Sequence, residues 1–188
     1  MNLPNKLTII RILLIPIMIA VFYITQIPHR FTISAVIFAV AAFTDFLDGY
    51  IARKYNLVTD LGKFLDPIAD KILVLSAFVI MLTEPTVFSA YGVRLGQIVS
   101  GVGVAVIVAR EMTVSVLRMI AATKNIVLAA EKVGKIKTFI TDFAIVFLLV
   151  AVEFSALFIV GFVLFVISVL LTVYSGVVYI LKNKDVFI

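Results

Sequence analysis

The 188 residues are 63% hydrophobic and 14% charged, with a mean hydropathy of +1.22. A soluble domain is roughly 25% charged, and one of this size leaves too much of its surface in water to hide so many apolar side chains. A soluble globular domain, a disordered chain and a disulfide scaffold are therefore excluded, and an all-α, polytopic membrane protein remains, with lipid as the solvent of its outer faces. The chain has no Cys and one His, His29. Thiolate sites, cysteine nucleophiles and His-built zinc sites are set aside, so any metal must be held by oxygen. The net charge of +5 suits anionic lipid and membrane topology, and no nucleic-acid-binding motif accompanies it.

In chain order, residues 1–25 resemble a signal peptide in hydropathy. They show no small-residue cleavage site, and the apolar run is long enough to span. They read as a short N-terminal interfacial segment followed by a first transmembrane helix, 7–25. A span takes about 20 apolar residues. Further candidates are 31–54, 63–82, 95–122, 135–152 and 155–181, with the polar break Glu153-Phe154-Ser155 dividing the last two. The breakers agree: Pro28 lies between the first and second helices, Pro85 between the third and fourth, and Asn56 and Asp60 in the link between the second and third. The whole chain, 1–188, reads as one six-helix integral-membrane domain without repeats.

Lys and Arg positions orient the helices. Lys6, Arg53, Lys54, Lys63, Lys124, Lys132, Lys135, Lys137, Lys182 and Lys184 fall on one side, and Arg30 and Arg94 on the other. The rich side is expected to be cytoplasmic, with both termini there.

Two helix ends on that side carry acids that a lipid-facing helix could not tolerate. Asp45, Asp48, Gly49 and Ala52 are spaced i, i+3, i+4 and i+7, so they share one face. Gly62, Asp66 and Asp70 are spaced i, i+4 and i+8, again one face. A short link lets the two helices lie antiparallel and brings four carboxylates together. Clustered anions either raise their pKa values or attract cations. Oxygen-only ligation suits Mg²⁺ or Mn²⁺, with Ca²⁺ also open. Metal pairs of this kind commonly handle phosphate esters. Small residues on the same faces let a ligand approach the backbone, and Pro67 is expected to kink or start the third helix. The simpler alternative, solvated helix ends neutralised by Arg53, Lys54, Lys63 and Lys71, suits one Asp better than four in two registers.

The run Asp45-x-x-Asp48-Gly49-x-x-Ala52-Arg53, then eight residues, then Gly62-x-x-x-Asp66-x-x-x-Asp70, resembles the signature of the CDP-alcohol phosphotransferases at every fixed position. The resemblance implies a six-helix membrane fold, usually a homodimer, that displaces CMP from a CDP-linked substrate with an alcohol and needs divalent metal, two ions of Mg or Mn. It implies Asp45, Asp48 and Asp66 as metal ligands, and Asp70 as a ligand or as general base. Asp66 and Asp70 would be the catalytic pair. Asp48, Gly49, Ala52, Arg53 and Gly62 would hold the CDP moiety. With no cysteine or placed histidine to act as nucleophile, direct displacement is expected.

Within that family, the opening Pro4-Asn5-Lys6-Leu7-Thr8-Ile9-Ile10-Arg11 resembles the bacterial phosphatidylglycerophosphate synthases. So do the segments Arg110-Glu111-Met112-Thr113 through Arg118 and Gly134-Lys135-Ile136-Lys137-Thr138. This implies CDP-diacylglycerol as donor, glycerol 3-phosphate as acceptor and a bacterial cell membrane. Arg110 and Arg118 are eight residues apart, two turns along one face. With Lys135 they form a cation set for an acceptor phosphate. Asn5, Thr8, Arg11 and Ser115 are weaker candidates. The competing reading pairs Arg110 with Glu111 or Asp142 and lets Lys135 snorkel. Inositol phosphate or phosphatidylglycerol as acceptor keeps the same chemistry; a cation-coupled transporter is the rival of another class, although its site would belong nearer the midplane. His29 reads as a surface residue of the outer loop and Glu153 as a solvated carboxylate. Gly92-x-x-x-Gly96 is a weak helix-packing motif.

Overall fold

The computed structural model describes residues 2–55, 60–91, 93–124 and 132–183, and the side chains within them except at positions 50, 52, 53, 60, 61, 63, 64, 66, 67, 89–91, 93, 122, 123 and 132. Among the described residues, six α-helices follow one another: α1 (Leu3–Tyr23), α2 (Arg30–Lys54), α3 (Asp60–Thr83), α4 (Val93–Thr123), α5 (Lys132–Ala151) and α6 (Phe158–Lys182). Short 3-10 turns, Pro85–Tyr91 and Ser155–Leu157, precede α4 and α6. Among the described residues there is no strand.

The six expected helices are all present. Two details differ. α1 runs unbroken from Leu3 to Tyr23, so the segment expected before residue 7 is continuous with the first helix; Pro4 sits in its first turn, where a missing N–H costs nothing. α3 begins at Asp60, so Pro67 falls inside the helix and does not start it. Asn56 lies outside the described residues.

α1 packs on α2 and α3, α5 on α6 and α2, and α4 on α6 and the Pro85–Tyr91 turn. The core is aromatic and aliphatic. Phe165 of α6 meets Phe78 and Phe88 at ring-centroid distances of 6.0 and 5.8 Å, and Met18, Phe22, Phe38 and Leu148 are closed off around them. At Gly161 a Cβ would stand 2.9 Å from the backbone nitrogen of Leu148, so α5 and α6 touch there only because the residue is glycine.

The outward faces are apolar: Phe43, Phe46, Phe139, Ile159 and Leu170 are all exposed. By length and composition, three helical stretches among the described residues can cross a membrane: Leu3–Tyr23, Arg30–Gly49 and Ser155–Lys182. This is the surface of a membrane protein. α3, α4 and α5 are less uniformly apolar because the charged residues gather on them: Asp70 and Lys71, Arg110 and Glu111, Lys137 and Asp142.

One end of the bundle joins the end of α1, the start of α2, the end of α3 and the α5–α6 turn. Tyr23 and Thr83 share a hydrogen bond of 2.8 Å between hydroxyls, and Arg30 pairs with Glu84 at 3.5 Å. Glu153 corrects an expectation here. It is not a solvated carboxylate but caps α2 from across the chain. It accepts from the backbone N–H of Phe31 (3.2 Å) and Thr32 (3.4 Å), from the Thr32 hydroxyl (2.6 Å) and from His29 Nδ1 (2.9 Å). Burial alone would raise its pKa; the bonds from Thr32, His29 and the two amides outweigh burial and hold the carboxyl below the usual glutamate range. His29 is exposed as expected, in a left-handed conformation (φ 54°) that turns the chain into α2.

Candidate active site

At the opposite end, the last turns of α2 place Asp45, Asp48 and Gly49 on one face, as their spacing requires. Asp48 is buried and Asp45 partly open. Between them lies the guanidinium of Arg11, which α1 delivers from the side. It stands 2.7 Å from Asp45 Oδ1 and donates from NH2 to Asp48 Oδ2. Thr8 and Asn5, one and two turns earlier on the same inward face of α1, are buried as well. Thr8 donates to the Pro4 carbonyl at 3.2 Å. Gly62 is buried near the start of α3. The side chains of Ala52, Arg53 and Asp66 lie outside the described residues. Among the described residues, no three carboxylates gather tightly enough to cage an ion.

Asp70 faces a small chamber built from α3, α4 and α5, whose walls carry charged groups on a largely apolar lining. Its other walls are Lys71, Ile107, Glu111, Lys137, Thr141 and Asp142, with apolar Val74 and Leu75 below. Asp45, Asp142, Glu111, Arg11 and Lys137 all lie within electrostatic reach of Asp70. Glu111 is the hub of the chamber's cations: its Oε1 accepts from Arg110 NH1 at 3.0 Å and from the Lys137 ammonium. Ser115 is turned back onto its own helix, donating to the Glu111 carbonyl at 2.6 Å.

The cations expected on one face of α4 do lie along one face, which leans on α6. A Cβ at Gly176 would stand 3.0 Å from Arg110 Cγ. One helical stretch further on, Arg118 Nε donates to the Tyr179 hydroxyl at 3.3 Å, its guanidinium 5.6 Å from the ring centroid. Arg118 is exposed, and so is Lys135. The lysine that enters the chamber is Lys137, 4% exposed. From the sequence, Lys137 has no role at the site, Asp142 is only an alternative partner of Arg110, and Thr141 is not singled out. The available signal is the buried stripe Lys137, Thr141, Ala144, Ile145, Leu148 on α5, which has helical period and puts Lys137 in line with the core while Lys135 points elsewhere.

A family model described as CDP-alcohol phosphatidyltransferase matches residues 1–174. The chain belongs to the CDP-alcohol phosphatidyltransferase family. Proteins named CDP-diacylglycerol–glycerol-3-phosphate 3-phosphatidyltransferase are similar to it over almost their whole length. The one from Rickettsia felis is 38% identical, covering 99% of this chain and 97% of its own. The one from Bacillus subtilis is also 38% identical, covering 98% and 96%. A protein from Oryza sativa subsp. japonica named cardiolipin synthase (CMP-forming) is 38% identical over 97% of this chain but 57% of its own. The family's aspartate signature thus coincides with the end of the bundle where Arg11, Asp45, Asp48 and Asp70 meet.

Proposed function

We propose that the protein transfers the phosphatidyl group from CDP-diacylglycerol to sn-glycerol 3-phosphate, giving phosphatidylglycerophosphate and CMP. The observation that carries this reading is the near-full-length likeness to transferases of that name, with the signature residue Asp70 on the wall of a chamber also lined by Lys137 and Glu111.

The donor set fits a divalent ion, Mg²⁺ or Mn²⁺. The described acids offer only hard oxygen donors, and Asp45 and Asp48 already converge on a single cation in the structure. Asp45, Asp48, Asp66 and Asp70 would hold the metal, two ions in all. When bound, it supplies positive charge against the pyrophosphate and the departing CMP. Gly49, Ala52, Arg53 and Gly62 hold the CDP moiety. Asp70, on the chamber wall, takes the proton of the glycerol 1-hydroxyl. That oxygen forms a bond to the phosphorus bearing the diacylglycerol, and the bond from this phosphorus to CMP breaks. Arg110 and Lys137, gathered on Glu111, hold the acceptor phosphate, with Arg118 and Lys135 outside the chamber and Asn5, Thr8 and Ser115 in lesser roles.

In this reading all six helices cross the bilayer, the acid end and both termini face the cytoplasm of a bacterial cell, and the protein works as a homodimer. The likeness to the rice cardiolipin synthase favours one second reading, with phosphatidylglycerol as acceptor. Membership in a transferase family leaves the transporter reading without support. CMP release from CDP-diacylglycerol and Mg²⁺ by the detergent-solubilised protein, measured with glycerol 3-phosphate, inositol 1-phosphate, serine or phosphatidylglycerol as sole acceptor, tests the choice. Release with glycerol 3-phosphate alone, abolished by EDTA, is expected. Release with phosphatidylglycerol alone would transfer the assignment to the second reading.

A further inference from the structure

Arg11 is 0% exposed, although it lies in the middle of an apolar run. A guanidinium cannot shed its proton in a protein, so a buried one must be matched by anions. Arg11 is matched twice, by Asp45 and Asp48 of the neighbouring helix. The two aspartates have the complementary problem. Three residues apart on α2, they are neighbours of like charge and repel each other. The planar fork of arginine suits this arrangement, since two of its nitrogens meet two different carboxylates at once. Two carboxylates also carry the charge that a divalent ion balances in full, whereas one guanidinium balances half. Asp48 is closed off at 3% exposure while Asp45 remains 42% exposed, so the pair is reachable from outside.

We propose that Arg11 is the resident counter-cation of Asp45 and Asp48: it holds both carboxylates in place until a divalent ion binds, and it yields them to that ion. Arg11 is then a positioning residue and a competitor of the metal. This inference rests on the metal requirement in the proposed function.

The test compares the full-length wild type with Arg11→Lys and Arg11→Met in detergent, without nucleotide substrate. Mn²⁺ affinity is measured by calorimetric titration, and melting temperature is measured in EDTA and in saturating Mn²⁺. Arg11→Met is expected to bind Mn²⁺ about tenfold more tightly, the scale of one lost charged hydrogen bond. In EDTA it should melt about 5 °C lower than wild type and recover most of that loss in Mn²⁺. Arg11→Lys, a point charge that cannot bridge both carboxylates, should fall between the two. Unchanged or weaker Mn²⁺ binding in the variants, or an equal loss of melting temperature with and without Mn²⁺, overturns the inference and leaves the transferase reading intact. If Arg11→Met does not fold, Arg11→Lys decides: tighter binding supports the exchange, and wild-type affinity overturns it. Wild-type protein that binds no Mn²⁺ at all would overturn the exchange together with the metal requirement.

Discussion

The two polar ends of the bundle solve opposite problems. At the end holding Glu153, the two carboxylates Glu84 and Glu153 each have a partner of opposite sign or a set of hydrogen-bond donors. Glu153 takes four bonds from the start of α2 and its neighbour His29, and Arg30 meets Glu84. At the other end, carboxylates from three helices lie within electrostatic reach of one another: Asp45 from α2, Asp70 from α3 and Asp142 from α5. Like charges brought that close resist folding unless cations join them. The difference separates an arrangement that closes the structure from one that, in the proposed function, receives a substrate and a metal. Satisfied polar groups fix geometry, while an anionic cluster stores an affinity for cations.

This contrast can be broken from either side. The largest effect is expected at the acid end. Asp70→Asn should lower CMP release about 10²- to 10⁴-fold, the usual worth of a general base, while CDP-diacylglycerol binding, followed by equilibrium dialysis, is retained. Retained turnover would remove Asp70 as the base. Next, Lys137→Met should raise the KM for glycerol 3-phosphate about tenfold with little change in the KM for the donor. Lys135→Met, on an exposed side chain, should do much less, and the reverse order would place the acceptor outside the chamber. At the Glu153 end the signature of damage should be stability instead. Glu153→Gln should cost about 1–2 kcal/mol, as for lost helix caps, measured by unfolding, with kcat per folded molecule unchanged.

The pH dependence separates the same two ends more finely. The Glu153 carboxyl titrates below its ordinary value in the folded protein. Its contribution is therefore fully present above the unfolded glutamate value, about 4.3, and is lost as pH falls through the lower, folded value. Melting temperature should decline on acidification below about pH 4.3, and Glu153→Gln should flatten that part of the decline. The smallest effect is expected for His29→Ala, which removes one bond from an exposed side chain; about 0.5 kcal/mol or less is anticipated.

Much of the fold is readable from apolar runs and breakers, because these mark where helices stop: Pro28 and Pro85 stand in the links where the structure leaves α1 and α3. The face shared by Asp45 and Asp48 is legible too, since helical period alone brings them together. What could not be read is contact between distant segments. Arg11 lies 34 and 37 residues before its two partners, and Glu153 lies 121 residues after Thr32. No local pattern marks either pairing. Lys135 and Lys137 show a subtler limit. Both are cations at the start of α5, but two residues is roughly 200° around a helix, so one points out and the other in. Charge and motif cannot distinguish them; the register of the whole apolar stripe can.

The cap on α2 also bears on how the chain is made. A ribosome releases the residues of α2 long before Glu153 exists, so the first amides of that helix must wait through the synthesis of α3, α4 and α5 for their acceptor. Until then the α1–α2 hairpin stands with its turn open, held by its own packing. The arrival of the α5–α6 turn fastens the last part of the chain to nearly the first. A nascent chain stopped before residue 153 lacks that fastening, whatever helices it has already formed. The two halves of the chain are thus joined through a single side chain of the C-terminal half.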